Sequence, residues 1–124
     1  MNRRSACRIV VMAIALLFAS EAFAKCVAPF RFSLTSAGPW SAFGTIKSGT
    51  SCAGSFNSSG PMVFRRLYLA AAPQHGSVGL QEGGRYTYAA KRGYVGEDRF
   101  TLKVCGNEGG LEGCTDIQYN MTLQ

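Results

Sequence analysis

Acidic residues are scarce in this chain, and so are the side chains that carry most enzymatic and metal chemistry. Seven Asp and Glu stand against 13 Lys and Arg, with one histidine and one tryptophan in 124 residues. The single histidine, His75, has no second imidazole for a metal pair or a proton relay, so it reads as a turn residue bonding neighbouring backbone. The cysteines show no C-x2-C spacing, which argues against a zinc site. There is no Gly-x-Ser-x-Gly elbow, and Ser77, His75 and Asp98 form a triad only on paper. Glu97 and Asp98 are adjacent and therefore face opposite sides of a strand, while Glu108 and Glu112 fall in a predicted loop, so neither pair suits acid–base work. Gly109-Gly110 lacks the following helix that a phosphate cradle needs. Catalysis, cofactors and metals are not expected.

A long apolar run is also missing. Arg3, Arg4 and Arg8 lead into an apolar stretch of only 11 residues, Ile9 to Ala19, against the ~20 needed to span a bilayer. Ala22-Phe23-Ala24 follows, with small residues where a signal peptidase reads. Residues 1–24 are thus predicted to be a cleaved signal peptide. Lys25 occupies the place before Cys26 where a lipid-modified cysteine needs a small neighbour. The expected product is one secreted or periplasmic domain, residues 25–124, with no membrane span.

Processing changes the cysteine count and the charge. Cys7 leaves with the leader, and the four that stay, Cys26, Cys52, Cys105 and Cys114, read as two disulfides in an exported chain. Three pairings are open. Phe100, Leu102 and Val104 share one face of a strand, which puts Cys105 on the other; Ile117, Tyr119, Met121 and Leu123 do the same for Cys114. Both sulfurs then leave the sheet on one side, which favours Cys105–Cys114 and leaves Cys26 with Cys52. Loss of Arg3, Arg4, Arg8 and Glu21 leaves ten cations and six anions, a net charge of +4. That sign suits anionic partners, which outside the cytoplasm are lipopolysaccharide, acidic polysaccharide or phospholipid head groups rather than nucleic acid. Only Arg65-Arg66 and Lys91-Arg92 are adjacent and no basic run exists, so most of the charge reads as scattered over solvent faces.

Residues 25–124 read as β throughout. Cys26 to Leu34 alternates, with Ala28, Phe30, Phe32 and Leu34 on one face, and Pro29 confines it to an edge. A short strand is predicted near Ala42 to Lys47. From Ser48 to Pro61 small and polar residues predict a long surface loop. Met62 to Ala71 follows, with Val63, Leu67 and Leu69 expected inward, then Val78 to Leu80, Arg85 to Ala89, Asp98 to Cys105 and Thr115 to Leu123. Gly106 to Gly113 is the expected loop of the last pair. Seven or eight short strands cut by turns predict an all-β, Ig-like antiparallel sandwich.

The order of three elements in the second half resembles the closing strands of bacterial Ig-like and cadherin-like repeat domains. Pro73, His75, Gly76 and Val78 come first, then Tyr86 and Tyr88, then Gly93, Tyr94, Gly96, Asp98 and Phe100. The resemblance covers about half of residues 25–124 and implies the fold. The residues themselves read as framework: Gly76, Gly93 and Gly96 for tight turns, the aromatic side chains as a plug, and Asp98 capping a turn by accepting backbone N–H bonds. The resemblance does not extend to the acidic clusters that calcium-binding members carry between repeats, nor to their tandem arrays.

The expected function is a non-catalytic exported module, monomeric, binding a protein or an anionic polysaccharide of the envelope. Exposed Trp40, Arg65, Arg66, Lys91 and Arg92 are its expected contacts. The alternative is a small inhibitor or accessory of an extracytoplasmic enzyme, with Ser48 to Gly60 entering a cleft.

Overall fold

The computed structural model describes residues 24–27, 31–36, 38–56 and 60–124. The predicted signal peptide, apart from Ala24, lies outside them, as do Ala28, Pro29 and Phe30. The described residues form β1 (Ala24–Lys25), β2 (Trp40–Ile46), β3 (Ser51–Ser55), β4 (Met62–Ala71), β5 (Gly76–Gln81), β6 (Arg85–Ala90), β7 (Gly96–Glu108) and β8 (Leu111–Leu123), with no helix. One sheet has the order β1-β3-β6-β5 and the other β2-β8-β7-β4. With β3 to β8 taken as strands B to G, this is the B-E-D and C-F-G arrangement of the immunoglobulin sandwich. The sandwich is mixed, however, rather than wholly antiparallel: β2 runs parallel to β8 along its whole length, and β1 parallel to β3. An early edge strand laid beside the last strand needs no hairpin, so nothing forces it to be antiparallel.

The core follows from alternation in β7 and β8. Phe100 and Leu102 stand opposite Tyr119 and Ile117, and these four with Val104 and Met121 on the same face are essentially inaccessible, each worth roughly 1.5–3 kcal/mol of burial for side chains of this size. Phe100 stacks on Tyr119 at 4.6 Å and on Tyr88 at 5.1 Å, while Tyr86 lies 5.5 Å from Tyr119 and 5.8 Å from Phe56. Aromatic rings thus bridge the two sheets without a break. Two disulfides complete it. Cys105 and Cys114 are directly opposed across β7 and β8, on the outer face as strand parity requires, and Cys26–Cys52 is buried between the sheets.

Four expectations are corrected. Among the described residues, 26–27 and 31–36 form no strand, although Leu34 is only 2% exposed. Its N–H donates to the Glu108 carboxylate at 2.6 Å and the Ser33 hydroxyl does so at 3.1 Å. Gly106 and Gly113, paired across the β7–β8 hairpin, leave the space through which Leu34 passes: a Cβ on Gly113 would lie 2.4 Å from the Leu34 carbonyl oxygen. A carboxylate and a bare patch of sheet take the place of a strand partner.

The predicted loop from Ser48 to Pro61 contains β3, an inner strand paired with β6, because Cys52 and Phe56 bury themselves there despite polar neighbours. The predicted loop from Gly106 to Gly113 is a continuation of the hairpin, closed by Gly109-Gly110 with φ of 61° and 89°; two successive positive φ values are what a tight hairpin turn demands. Val63 and Leu69 are exposed, whereas Met62, Phe64 and Leu67 pack on the core. The register shift between Phe64 and Arg66 explains Val63: one extra residue, Arg65, reverses the parity, so that Met62, Phe64 and Leu67 share the inner face and Val63 does not. Leu69 lies opposite the core residue Leu102 but on the edge strand of its sheet, which leaves it partly exposed.

Candidate functional site

The expected contact residues do not form one site. Trp40 opens β2 opposite Ile117, a core residue, so its ring turns inward and is half-buried against the core. Arg65 and Arg66 are exposed near the β7–β8 hairpin, where Arg65 pairs with Glu112 at 3.1 Å. Lys91 and Arg92 are exposed in the connection before β7, at the other end of the sandwich.

Most residues of the family resemblance converge at one end, whereas Tyr86 lies toward the other, one residue past the start of β6 and next to the β5–β6 turn. Asp98, 6% exposed, accepts the Tyr88 hydroxyl at 2.6 Å on one oxygen, and the N–H groups of Gln74 and Arg99 at 3.0 and 2.9 Å on the other. Asp98 therefore accepts backbone N–H bonds as expected, and a tyrosine besides. Burial, with the Asp98 charge adding to it, pushes the Tyr88 phenol well above its ordinary range. His75 lies flat on Tyr94, ring centres 3.6 Å apart, and its carbonyl accepts Lys91 N–H at 2.9 Å. The Tyr94 hydroxyl donates to the Glu97 carbonyl at 2.8 Å, and the Ser48 hydroxyl to the Tyr94 carbonyl. Tyr86, Tyr88 and Phe100 are core residues; Tyr94 is half-buried over the turn. Asp98 is thus engaged by a tyrosine and two amides, not by His75.

A different group of side chains gathers beside this end, on the outer face of β2, β8 and β7. Alternation in β2 buries Ala42 and Ile46 and turns Phe43 outward, where it is 74% exposed. The register sets Phe43 beside Asn120, and Asn120 beside Arg99. The next row is Thr45, Thr122 and Glu97. Strands ~4.8 Å apart put the backbones of Phe43 and Arg99 about 10 Å from one another, with the amide between. Asn120 Nδ2 donates to the Ala42 carbonyl at 3.3 Å, and its Oδ1 accepts Arg99 Nε at 3.1 Å. These residues, with Gln74, line an open depression of ≈ 770 Å³. Asp98 sets its far wall, because its Oδ1 holds the backbone of both Gln74 and Arg99. A second depression, ≈ 640 Å³, opens at Phe32, Phe56, Tyr86 and Arg85, beside stretches outside the described residues.

Sequence reasoning passed over Phe43 because size alone does not say which face a residue takes. The parity of Ala42 and Ile46 around it was the available sign. No family profile matches this chain, and no curated protein matches it. Among the described residues no helix is long and apolar enough to cross a membrane.

Proposed function

We propose that this chain is a non-catalytic exported module of bacterial Ig-like and cadherin-like type that binds polysaccharide of the cell envelope or its surroundings. One observation carries the reading: a phenylalanine 74% exposed among the polar side chains that β2, β8 and β7 turn outward around it, in one row with a fixed amide and a guanidinium. An exposed ring among polar side chains has no packing role. A sugar ring offers the complement, with C–H groups on its flat face and hydroxyls at its rim, and a shallow depression with few convergent polar groups receives it. Two disulfides in a domain this size suit an oxidising compartment outside the cytoplasm. The non-catalytic reading is supported by the engagement of Asp98 and His75 in framework contacts. The inhibitor alternative loses ground because Ser51–Ser55 is an inner strand.

The test is retention of the purified exported protein on immobilised envelope and extracellular polysaccharides. Phe43→Ala should weaken retention at least about tenfold with the circular dichroism unchanged, since the ring supports no core contact. Retention equal to the native protein would overturn the reading.

A further inference from the structure

We infer that the depression is built for a carboxylated sugar, with a uronic-acid carboxylate on Arg99 and the flat face of the pyranose on Phe43. The inference rests on the glycan-binding reading above. Arg99 extends from β7 on the outer face and is exposed. Its Nε is taken by Asn120 at 3.1 Å, and Asn120 is itself anchored to the Ala42 carbonyl. The planar guanidinium is therefore oriented by one edge, and its two terminal amino groups meet no partner among the described residues. Two coplanar N–H donors match the two oxygens of a carboxylate, and a guanidinium already held in place loses less side-chain freedom on binding.

Glu97 shapes the choice of anion. It follows the same face two residues away, roughly 7 Å along the strand, and makes no ion pair with Arg99 within 4.0 Å. One cation and one anion side by side leave the depression locally near neutral. A doubly charged phosphate would meet Glu97 unfavourably, whereas a singly charged planar carboxylate balances Arg99 alone. Glu97 accepts hydrogen bonds from sugar hydroxyls, and the Thr45 and Thr122 hydroxyls serve as donors or acceptors in the same row. Aromatic ring, guanidinium, carboxylate and hydroxyls stand in two adjacent rows of three strands.

The experiment is calorimetric titration of the purified exported protein with uronic-acid oligosaccharides and with the same oligosaccharides after reduction of their carboxyl groups to alcohols. The native protein should bind the acid form at least about tenfold more tightly. Arg99→Gln should erase that preference by weakening only the acid form. Arg99→Lys, which keeps the charge but not the fork, should recover less than half of the preference on a logarithmic scale. Phe43→Ala should weaken both forms. Equal binding of both forms by the native protein, a preference that survives Arg99→Gln, or stronger binding of a sulfated or phosphorylated glycan of equal length would overturn the carboxylate inference while leaving glycan binding intact. Failure of every glycan to bind would overturn both.

Discussion

Tyr86 and Tyr119 join their hydroxyls inside the core, among aromatic rings and aliphatic chains. Burial pushes both phenols up, and for Tyr119 the neighbouring Tyr86 adds to the effect. Tyr88 is raised by burial and by Asp98. In the unfolded chain all three ionise near pH 10. Below that pH both states hold the protons and the contribution to stability is complete. Above it the unfolded chain binds fewer protons than the folded one, so stability falls as pH rises, by at most about 1.4 kcal/mol per phenol and pH unit. Denaturant unfolding should show a steep alkaline decline beginning near pH 10. The double substitution Tyr86→Phe, Tyr119→Phe removes both polar partners together, so it should cost little at neutral pH and flatten the decline. An unchanged alkaline slope would refute the assignment. Phe43 and Trp40 teach a related lesson at this scale. Both are large aromatic residues on one short strand, yet one faces solvent and the other the core, because β8 sets the register and three intervening steps reverse the face.

At the scale of elements, the two disulfides differ in what they hold. Cys105–Cys114 crosses two strands already zipped on both sides, is partly exposed, and closes a separation of nine residues. Cys26–Cys52 closes 26, is buried, and ties the chain beside β1 into the inner strand β3. Loop-closure entropy gives about 2.6 kcal/mol for the first and about 3.5 for the second, before packing is counted. Replacing Cys26 and Cys52 together by Ala should therefore lower the unfolding free energy more than replacing Cys105 and Cys114, by at least about 1 kcal/mol. The reverse order in denaturant titrations would contradict this account. The same contrast explains what could be read in the sequence. β6, β7 and β8 alternate strongly, so their faces, and with them the outer disulfide, were legible. β3 was not, because Ser51 to Ser55 is built of small residues whose burial comes from neighbours. Residues 26–34 alternate like a strand, but Glu108, distant in sequence, takes the Leu34 N–H. The bulge at Arg65 likewise depends on the pairing of β4 with β7.

For the whole molecule, the question is whether the net positive charge or the local site governs binding. Arg66 stands opposite Cys105, whereas Lys91 and Arg92 precede Gly96. The stretch of β7 between Gly96 and Cys105 is about 30 Å long at ~3.3 Å per residue. Two basic pairs that far apart, several Debye lengths at physiological salt, do not act as one surface. Arg65 is further occupied by Glu112. If Arg99 alone pairs with the ligand's charge, a tenfold rise in salt should weaken binding of a uronic-acid oligosaccharide by about tenfold or less. Four engaged cations would give a loss on the order of a thousandfold, by the counterion slope of roughly 0.7–0.9 per contact known for nucleic acids. Replacing Arg65, Arg66, Lys91 and Arg92 by Gln should accordingly leave affinity within about twofold of native, while Arg99→Gln removes most of the salt dependence. A steep salt slope that survives Arg99→Gln and disappears with the four distant substitutions would shift recognition from the sheet face to the general positive field of the domain.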